Sequence, residues 1–591
     1  MAVVHHRCVQ PASAANNSQA VQLQHDACLS LRSTNVSLAP MFGRRALMGF
    51  TLSSFAALPA RAAAKDELVI GTTQAPGTMN PLISQMLATS LIQNMRLRPF
   101  TAYDPDWKLV GLACTKLPSL KEGTARLVDL PDGKQGIEVD IEIKPLKWGD
   151  GTPVTAKDVD FTLTVGKHPQ SGVASSEAYR RILKLEIKDD RHFTATIDRV
   201  TFDYDDFSLT IIPAHIEKPI FDANPAEYRN KTAYDTDATN PGLGFGPYRI
   251  SELVPGSRIA LEPNAHWEGE TPHFKRIVFK FIENSSALEA NLLSGNVDYV
   301  PGELGLALDQ VLALEKRYKD RYDFIYKPGL VYEHIDVNLD NPLLKDRRVR
   351  QAILMAIDRR AISDKLFEGK QPVADSDISA LDPMHSATTH HYAFDLAAAR
   401  KIFEEAGFTA AADGVRADAN GRRFSIELVT TAGNRVREQV AQVIQSQLRQ
   451  AGIELRIKAL PPRIFSDVMT HRRFTGLAMY AWVERVQGVP RTTLHSDEIP
   501  SEKNGWSGQN YPGYSNPEMD KALDGVEREL DPDKRRALFA EIQRLYAEDL
   551  PVLPLYFRVD PFAIPKQLKG VRPTGQLNSS TLWVEQWRWE G

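Results

Sequence analysis

A cluster of three histidines could, by residue type, bind a metal. His385, His390 and His391 lie between Met384 and Tyr392. A metal site needs three or four ligands, and hydrogen-bonded neighbours must hold them in place. Nothing in the surrounding sequence supplies that support, so we predict that these histidines belong to a solvent-facing loop and that the chain has no metal site.

Sequence signatures of common catalytic sites are absent. The chain contains no Gly-x-Ser-x-Gly, His-Glu-x-x-His, Cys-x-x-Cys or Walker-type glycine-lysine pattern. Catalytic groups can also lie far apart in sequence, where no such pattern reveals them. An enzyme therefore stays an alternative class, but we name no catalytic residue and no cofactor.

A glycine-rich stretch at residues 240–248 invites comparison with a phosphate-binding loop. Its sequence is Asn-Pro-Gly-Leu-Gly-Phe-Gly-Pro-Tyr. A loop that cradles phosphate lies between a strand and the first turn of a helix. Here the residues from Tyr248 to Ile250 have the pattern of a strand instead, so we do not predict nucleotide binding.

Length and composition limit the class of protein. A chain of 591 residues exceeds a single ordinary core, so we expect at least two domains. Hydrophobic residues make up 42% and charged residues 25%, as in globular proteins that are soluble in water. The formal net charge of −4 argues against a nucleic-acid partner, which would favour a basic surface.

The first 64 residues have the pattern of an export signal. A basic start at Phe42–Arg45 precedes an apolar run, and Ala62–Ala64 offers a small-residue cleavage site. We predict an N-terminal extension with a signal peptide at residues 41–64, with Met41 as a plausible true start and twin-arginine export as one possible route. Cys114 would be the single cysteine after cleavage, so no internal disulfide is expected.

The most regular stretch of the chain runs from Leu330 to Gly369. A strand-like alternation comes first, and Asn341-Pro342 is a turn signal. The next apolar residues recur at i, i+3, i+4, i+7 and i+8, which is one buried helix face: Val349, Ala352, Ile353, Ala356 and Ile357. We predict one helix that Asp346 caps and that ends before Gly369. Its arginines are expected to face solvent: Arg347, Arg348, Arg350, Arg359 and Arg360.

This stretch resembles the hallmark of one protein family. The motif is similar to that of family 5 extracellular solute-binding proteins. Its matching residues are Asn338, Pro342, Asp346-Arg347-Arg348-Val349-Arg350-Gln351-Ala352 and Ala356-Ile357-Asp358-Arg359. These are the peptide-type receptors of ABC importers. Further similar segments lie at residues 147–159, 241–250 and 514–523, and the resemblance covers essentially all of residues 65–591.

The resemblance implies a two-lobed α/β fold, the type II periplasmic binding protein fold of the peptide-receptor class, with an extra subdomain in lobe 1. We expect lobe 1 at residues 65–328 and 552–591, its extra subdomain at about 82–240, and lobe 2 at residues 329–551. The lobes would close around a ligand by hinges near Lys327–Leu330 and Pro551–Leu555.

The resemblance also implies where a ligand binds. In the family, a second-lobe loop of the form Gly-Trp-x-x-Asp-Tyr-x-Asp-Pro walls the cleft with its tryptophan and pairs its first aspartate with a peptide ammonium. The matching stretch here retains Trp482, but Arg485 stands at the aspartate position with Glu484 beside it. The other ligand contacts that the resemblance suggests are Thr78, Met79, Asn80, Arg435, Tyr480, Tyr511 and Tyr514.

Arg485 leaves several ligand classes open. A carboxylate and an ammonium offset each other's desolvation, whereas an arginine repels an ammonium. If Arg485 faces the cleft, the ligand carries an anionic group or a blocked amino terminus. If the register slips by one residue, Glu484 restores ordinary peptide capture, and if Arg485 points into solvent it has no effect on the ligand.

We predict a monomeric periplasmic receptor that captures a short peptide and docks on an inner-membrane ABC permease. The alternatives are a receptor for a non-peptide solute, such as a metal chelate, an opine or an oligosaccharide, and a periplasmic enzyme.

Overall fold

The structure is a computed structural model that describes residues 65–590, so the predicted extension and signal peptide lie outside the described residues. The strands, in chain order, are β1 Glu67–Thr72, β2 Thr101–Tyr103, β3 Leu109–Gly111, β4 Ala125–Asp129, β5 Gln135–Glu142, β6 Ile182–Ile187, β7 His192–Ile197, β8 Tyr248–Val254, β9 Arg258–Pro263, β10 Arg276–Phe281, β11 Tyr322–Val337, β12 Thr409–Ala410, β13 Arg416–Ala417, β14 Ser425–Thr431, β15 Glu454–Leu460, β16 Leu477–Val483, β17 Val552–Pro565, β18 Leu568–Lys569 and β19 Arg588–Trp589.

The helices are α1 Leu87–Arg96, α2 Ala156–Lys167, α3 Glu177–Arg181, α4 Ala214–Ala223, α5 Tyr228–Lys231, α6 Ala233–Thr236, α7 Ser285–Ser294, α8 Leu308–Tyr318, α9 Arg347–Met355, α10 Arg359–Phe367, α11 Leu396–Glu405, α12 Arg435–Gln450, α13 Pro462–Thr470, α14 Arg491–Leu494, α15 Pro517–Arg528 and α16 Pro532–Asp549. Among the described residues, no helix combines the length and the apolar character needed to cross a membrane.

The first sheet has the strand order β1-β10-β9-β8. β1 runs parallel to β10, and the remaining pairs are antiparallel. β8 follows the glycine-rich stretch directly, which is the strand predicted there in place of a phosphate-binding helix. The core of this sheet includes Ile70, Tyr248 and Trp587, so the C-terminal tail packs onto the first sheet.

A second, antiparallel sheet with the order β4-β5-β7-β6 has a hydrophobic core of its own. Helix α2 packs onto it and begins with a capping arrangement, in which Thr155 N donates to Asp158 Oδ2 at 2.8 Å. Trp148 is fully buried in this core, and its indole Nε1 donates to the same carboxylate oxygen at 3.4 Å.

The third sheet has the order β15-β14-β16-β11-β17. Its largest core contains the five apolar residues of the predicted helix face, all of them buried, together with α11 and α12. Helices α15 and α16 pack around a separate core, which includes Met519 and Phe539. The alternation of strands and covering helices confirms the predicted α/β class.

Two long strands join the core of the first sheet to the core of the third sheet. β11 and β17 run antiparallel, first pairing Tyr322–Pro328 with Val559–Pro565 and then Tyr332–Asp336 with Val552–Phe557. The register shifts between Pro328 and Tyr332. Both strands therefore pass continuously from one core to the other with one irregularity between the two halves.

The predicted helix at residues 347–368 is in fact two helices, α9 and α10. The chain leaves helical hydrogen bonding around Ala356, and Asp358 begins α10 by accepting a hydrogen bond from Ala361 N at 2.7 Å. The prediction of one continuous helix was wrong because Asp358 offers the backbone an N-cap in the middle of the apolar pattern.

Two of the arginines expected to face solvent are buried instead. Arg350 is 5% and Arg359 is 4% exposed. Arg359 donates to Pro554 O at 3.2 Å and to Tyr392 O at 2.8 Å. A guanidinium can enter a core when backbone carbonyls accept its hydrogen bonds, and helical periodicity does not reveal such carbonyls.

Candidate functional site

The tryptophan that the sequence placed in a ligand cleft lies near the end of β16. This strand pairs antiparallel with β11, which sets Trp482 opposite Tyr332 and Tyr480 opposite His334. The ladder continues beyond the strand, where Glu484 N donates to a carbonyl of β11 at 2.9 Å. Because side chains alternate along a strand, Trp482 and Glu484 lie on the same side of it.

A cavity of about 20 Å³ lies beneath Trp482. Its partly exposed wall consists of Trp482, Glu484, Thr493 and Gln509. Its buried floor consists of Tyr332, His334, Asp336, Asp377, Leu494, Pro512, Tyr546 and Val552. The cavity therefore opens between polar and aromatic side chains and ends on a buried polar floor.

The floor of the cavity ties β11 to β16 and α16. Tyr332 OH and Tyr546 OH are 2.7 Å apart, and Tyr480 OH donates to Asp336 Oδ2 at 2.6 Å. The His334 ring stacks on Tyr332 with the ring centroids 5.0 Å apart. His334 Nε2 is 3.4 Å from Asp336 Oδ1 but forms no hydrogen bond with any described residue.

Two carboxylates of this cavity, Asp377 and Glu484, have raised pKa values. Burial raises the pKa of Asp377 to about 6, although the nearby His334 opposes the shift. Burial, and then the charge of Asp377, raise the pKa of Glu484 well above its ordinary value. Two carboxylates that are desolvated side by side are stabilised by a positively charged partner, so the cavity is suited to a cation.

A second cavity, of about 10 Å³, adjoins the first one. It is also lined by Asp377 and Glu484, and it adds Asp382 and Arg485. Asp382 accepts a hydrogen bond from Gln487 N at 2.6 Å, and burial raises the pKa of Asp382 to about 6. Arg485 is exposed and has carboxylates for neighbours, which disfavours an anionic ligand group beside it.

Titratable residues of the first half of the chain lie near Arg485 and Asp382, which line the second cavity. The pKa of Asp206 is raised by burial, and the charge of Arg485 opposes that shift. The pKa of Tyr103 is raised by burial and then by the charges of Asp206, Asp205 and Asp382. Carboxylates from both halves of the chain therefore lie around Tyr103.

The two halves also touch directly. Phe202 N, from the loop after β7, donates to Glu527 O of α15 at 3.2 Å. The Arg535 guanidinium lies 4.9 Å from the centre of the Phe202 ring. Leu530 packs against the core of the second sheet. These contacts close the space between the halves on the side of the subdomain.

Four of the residues predicted to contact ligand lie together. Trp482 and Glu484 line the first cavity and Arg485 lines the second. Tyr511 stacks beside Trp482, with the ring centroids 6.2 Å apart. The ligand contacts of these residues stay a prediction, but their grouping agrees with it.

The three residues predicted from the first lobe lie elsewhere. Thr78 and Met79 line a cavity of about 700 Å³ whose lining residues all come from the first half of the chain. Asn80 is fully buried, and its amide donates to Tyr228 OH at 3.1 Å and Thr232 Oγ1 at 2.9 Å. Asn80 therefore holds neighbouring loops together and offers a ligand no accessible group.

The remaining candidates point away from the two cavities or are already bonded. Tyr480 is buried with its hydroxyl on Asp336, and the Tyr514 hydroxyl donates to Asp549 Oδ2 at 2.7 Å. Arg435 is exposed at the first position of α12. None of these three side chains lines either cavity, and their ligand contacts stay a prediction.

The buried arginine near the start of α12 is Arg437, two residues after the predicted one. It donates to Glu333 at 3.0 and 3.2 Å, and Arg558 also bonds this carboxylate. Burial alone would raise the pKa of Glu333, but Arg558 and Arg437 lower it below its ordinary value. This ion-paired cluster joins α12 to the two long connecting strands.

The histidine cluster has ordinary partners. His391 Nδ1 is 2.8 Å from Asp375 Oδ1, and the His390 ring packs against Tyr392 at 4.4 Å. Residues 65–590 contain no group of three or more histidine, cysteine, aspartate or glutamate side chains that could hold a metal ion.

Sequence reasoning missed the polar floor of the first cavity. His334 and Asp336 alternate with Ile335 and Val337 on β11, so the second face of a central strand carries polar side chains. Buried polar residues on such a face are a signal of function that the alternation alone could have given. Asp377 lies in the irregular segment between α10 and α11, where no periodicity predicts position.

A protein-family model matches the part of the chain that contains Trp482, Glu484 and Arg485. The model of bacterial extracellular solute-binding proteins, family 5 Middle, matches residues 134–492, which is more than half of the chain. The chain belongs to this family. The predicted resemblance is thereby confirmed, and the cavities beneath Trp482 belong to a protein class that binds solutes.

Relatives of this solute-binding protein match over nearly its full length. The oligopeptide-binding protein AppA of Bacillus subtilis is 27% identical over 529 residues, which cover 86% of this chain and 89% of AppA. The oligopeptide-binding protein of Thermus thermophilus, solved with a pentapeptide, is 29% identical with a TM-score of 0.66 and covers 89% of this chain and 96% of that one.

The substrate-binding protein CtaP of Listeria monocytogenes shares the fold at 20% identity with a TM-score of 0.71. The match covers 90% of this chain and 100% of CtaP. The two-lobed binding-protein fold predicted from the sequence is confirmed by these likenesses.

Proposed function

We propose that this protein is a periplasmic receptor that captures a short peptide between its two lobes and delivers it to an inner-membrane ABC permease. The observation that carries the proposal is that Trp482, Glu484 and Arg485 line two adjoining cavities, with Asp206 of the facing half close enough to Arg485 for their charges to interact. An aromatic wall and charged groups from two bodies, around a small enclosed space, are what a receptor that closes on its ligand needs.

Two relatives support a peptide as the ligand. The Thermus thermophilus protein was solved with a pentapeptide, and the Bacillus subtilis relative is named for oligopeptide binding. The exposed backbone of a short peptide can be held by polar groups while aromatic walls accept varied side chains. A non-peptide solute would need a feature of its own, and the carboxylate surroundings of Arg485 do not favour an anion.

Lobe boundaries follow from the two connecting strands. We place the crossings at Pro328–Val331 and at Arg558–Val559, where the pairing of β11 and β17 changes register. We place the second crossing a few residues after the predicted Pro551–Leu555, because the side chains of Leu553 and Leu555 belong to the core of the third sheet. Lobe 1 then regains the chain from about residue 559, and the second sheet is its extra subdomain.

Export to the periplasm remains part of the proposal. The signal-peptide pattern at residues 41–64 supports it, as does membership of a family of extracellular proteins. Delivery to a permease requires that the closed, loaded form differ in affinity from the open form. We expect the receptor to act as a monomer.

The experiment that tests the proposal is native mass spectrometry of the protein purified from its own periplasm. A ladder of co-purifying peptide masses is the expected result. A single defined non-peptide mass would contradict it and favour the metal-chelate, opine or oligosaccharide alternatives.

The same peptides then test the site. Trp482→Ala should weaken their binding about ten- to hundredfold, because it removes a large aromatic contact from the cavity wall. Trp267→Ala is the matched control, since Trp267 lies in the first half of the chain and packs on Arg98 at 5.1 Å. Isothermal titration calorimetry that found the two variants equally affected would place the ligand away from Trp482.

A further inference from the structure

Two polar atoms at the floor of the cavity beneath Trp482 have no partner. Asp377 Oδ1 and His334 Nε2 form no hydrogen bond with any of residues 65–590. Asp377 is 6% exposed and His334 is 1% exposed, and both side chains border the cavity. Leaving buried polar atoms unpaired destabilises a fold, so such atoms mark a place where another molecule supplies the missing partner.

The charge of the cavity selects the kind of partner. Its lining includes three carboxylates, from Asp336, Asp377 and Glu484, and no lysine or arginine. Asp336 already accepts a hydrogen bond from Tyr480, whereas Asp377 Oδ1 accepts none from the described residues. A ligand group that donates hydrogen bonds and carries positive charge complements this lining best.

The size of the cavity limits which positively charged group can enter it. About 20 Å³ is room for one group of the size of a water molecule. A primary ammonium has that size and carries three hydrogen-bond donors, whereas the planar guanidinium is larger. In every amino-terminal residue except glycine the ammonium sits on a branched carbon, which fits so narrow a space less well than a methylene group.

The wall of the cavity suits an alkyl arm. Trp482 is partly exposed at the entrance, and the rings of Tyr332 and Tyr546 lie deeper. Aromatic faces pack against methylene groups and attract a cation at close range. His334 Nε2 can accept a hydrogen bond at the floor while its Nδ1, 3.2 Å from Tyr332 O, donates to that carbonyl.

We propose that this cavity binds the primary ammonium at the end of an unbranched alkyl arm, such as a lysine side chain, between Asp377, Glu484 and His334. The proposal rests on the proposed function and names the substrate class of the same site: cationic peptides with an ammonium-bearing side chain. The receptor thus keeps recognition of a positive charge although Arg485 replaces the aspartate of related proteins.

Isothermal titration calorimetry with amino-acetylated pentapeptides tests this proposal. The probes are alanine peptides that carry lysine at each position in turn, and the same series with norleucine, which keeps the alkyl arm without its ammonium. Acetylation leaves the side-chain ammonium as the sole one in the probe. We expect at least one lysine peptide to bind about tenfold or more tightly than its norleucine counterpart.

Variants locate the effect. Asp377→Asn and Glu484→Gln preserve side-chain volume and should each reduce that preference below about threefold. Glu427→Gln is the matched control, because Glu427 lies on β14 of the same sheet, pairs with Lys458 at 3.6 Å and lines neither cavity. Circular dichroism checks that each variant folds, and the partly exposed Glu484 serves if the buried Asp377 variant does not.

Each other outcome is decisive. Equal binding of lysine and norleucine peptides overturns the ammonium pocket and leaves the peptide receptor intact. A lysine preference that survives in both cavity variants overturns its location. If no acetylated or free-amino peptide binds, the proposed peptide function is wrong. A thermal-shift assay that compares hexylamine with 1-hexanol then tests the ammonium pocket by itself. Stabilisation by hexylamine that Asp377→Asn abolishes supports the pocket, and no stabilisation overturns it.

Discussion

Buried charged residues organise the second lobe. Arg350 donates to Leu344 O at 2.9 Å, Lys345 O at 2.7 Å, Asp549 O at 2.7 Å and Leu550 O at 3.1 Å. Its guanidinium thereby joins the start of α9 to the end of α16. One guanidinium therefore supplies hydrogen-bond donors to four backbone carbonyls.

Replacement of this arginine should be costly. We expect Arg350→Met to lower the free energy of unfolding by about 2–4 kcal/mol, because buried carbonyls lose their donor while the side-chain volume is largely kept. Urea unfolding followed by tryptophan fluorescence measures the change. Arg347→Met, at a position with 61% side-chain exposure, should stay within about 0.5 kcal/mol and serves as the control. Equal effects would mean that the hydrogen bonds of Arg350 contribute nothing.

Helices α9 and α10 meet at a capped break rather than in a continuous rod. Asp358 supplies the cap, and its backbone N donates to Gln447 Oε1 of α12 at 3.1 Å. The break turns Ile362 and Phe367 into the same core as Val349. One element therefore contributes two apolar faces to one core because an N-cap interrupts it.

Loss of the cap should weaken this element. Asp358→Ala is expected to cost about 1 kcal/mol, the usual value for an N-cap aspartate. Hydrogen exchange followed by mass spectrometry should show faster exchange in the first turn of α10. Asp364→Ala, an exposed position in the same helix, is the comparison. Unchanged exchange after Asp358→Ala would show that packing alone holds the break.

We expect closure of the cleft to depend on pH, because buried carboxylates lie on both sides of it. Burial, and then the charges of Asp206 and Asp203, raise the pKa of Asp205 to about 6, with Arg535 opposing the shift. Burial likewise raises the pKa of Asp382 to about 6. With the two halves in contact, as the structure has them, these carboxylates bind protons more tightly than carboxylates in free contact with water.

Raised pKa values determine the sign of the pH effect. The protonated carboxyls stabilise the form in which the two halves are in contact. This stabilisation is fully present below the ordinary carboxylate pKa and is lost as pH rises through about 6. We therefore expect the ligand-free protein to open between pH 5 and pH 8. Small-angle X-ray scattering should record a larger radius of gyration at pH 8, and the double variant with Asp205→Asn and Asp382→Asn should change less. A radius that is independent of pH in the unmodified protein would contradict the coupling.

The family resemblance and the hydrophobic periodicity predicted the α/β class, the strand at β8 and the Asp346 cap. They misjudged the exposure of Arg350 and Arg359 because the carbonyl partners of these side chains lie far away in sequence or in loops without periodicity. Asp377 and Asp382 lie in such a segment, and no local pattern shows that it folds beneath Trp482.

The sequence by itself determined the family, the strand and helix pattern and the replacement of an expected aspartate by Arg485, because these depend on residue identity and short-range spacing. The tertiary structure decided which charges share the cleft. Asp377 meets Glu484, and Asp206 meets Arg485, across segments separated by more than a hundred residues. Burial and charge act through distance in space, so this grouping of charged side chains became visible only once the chain was folded.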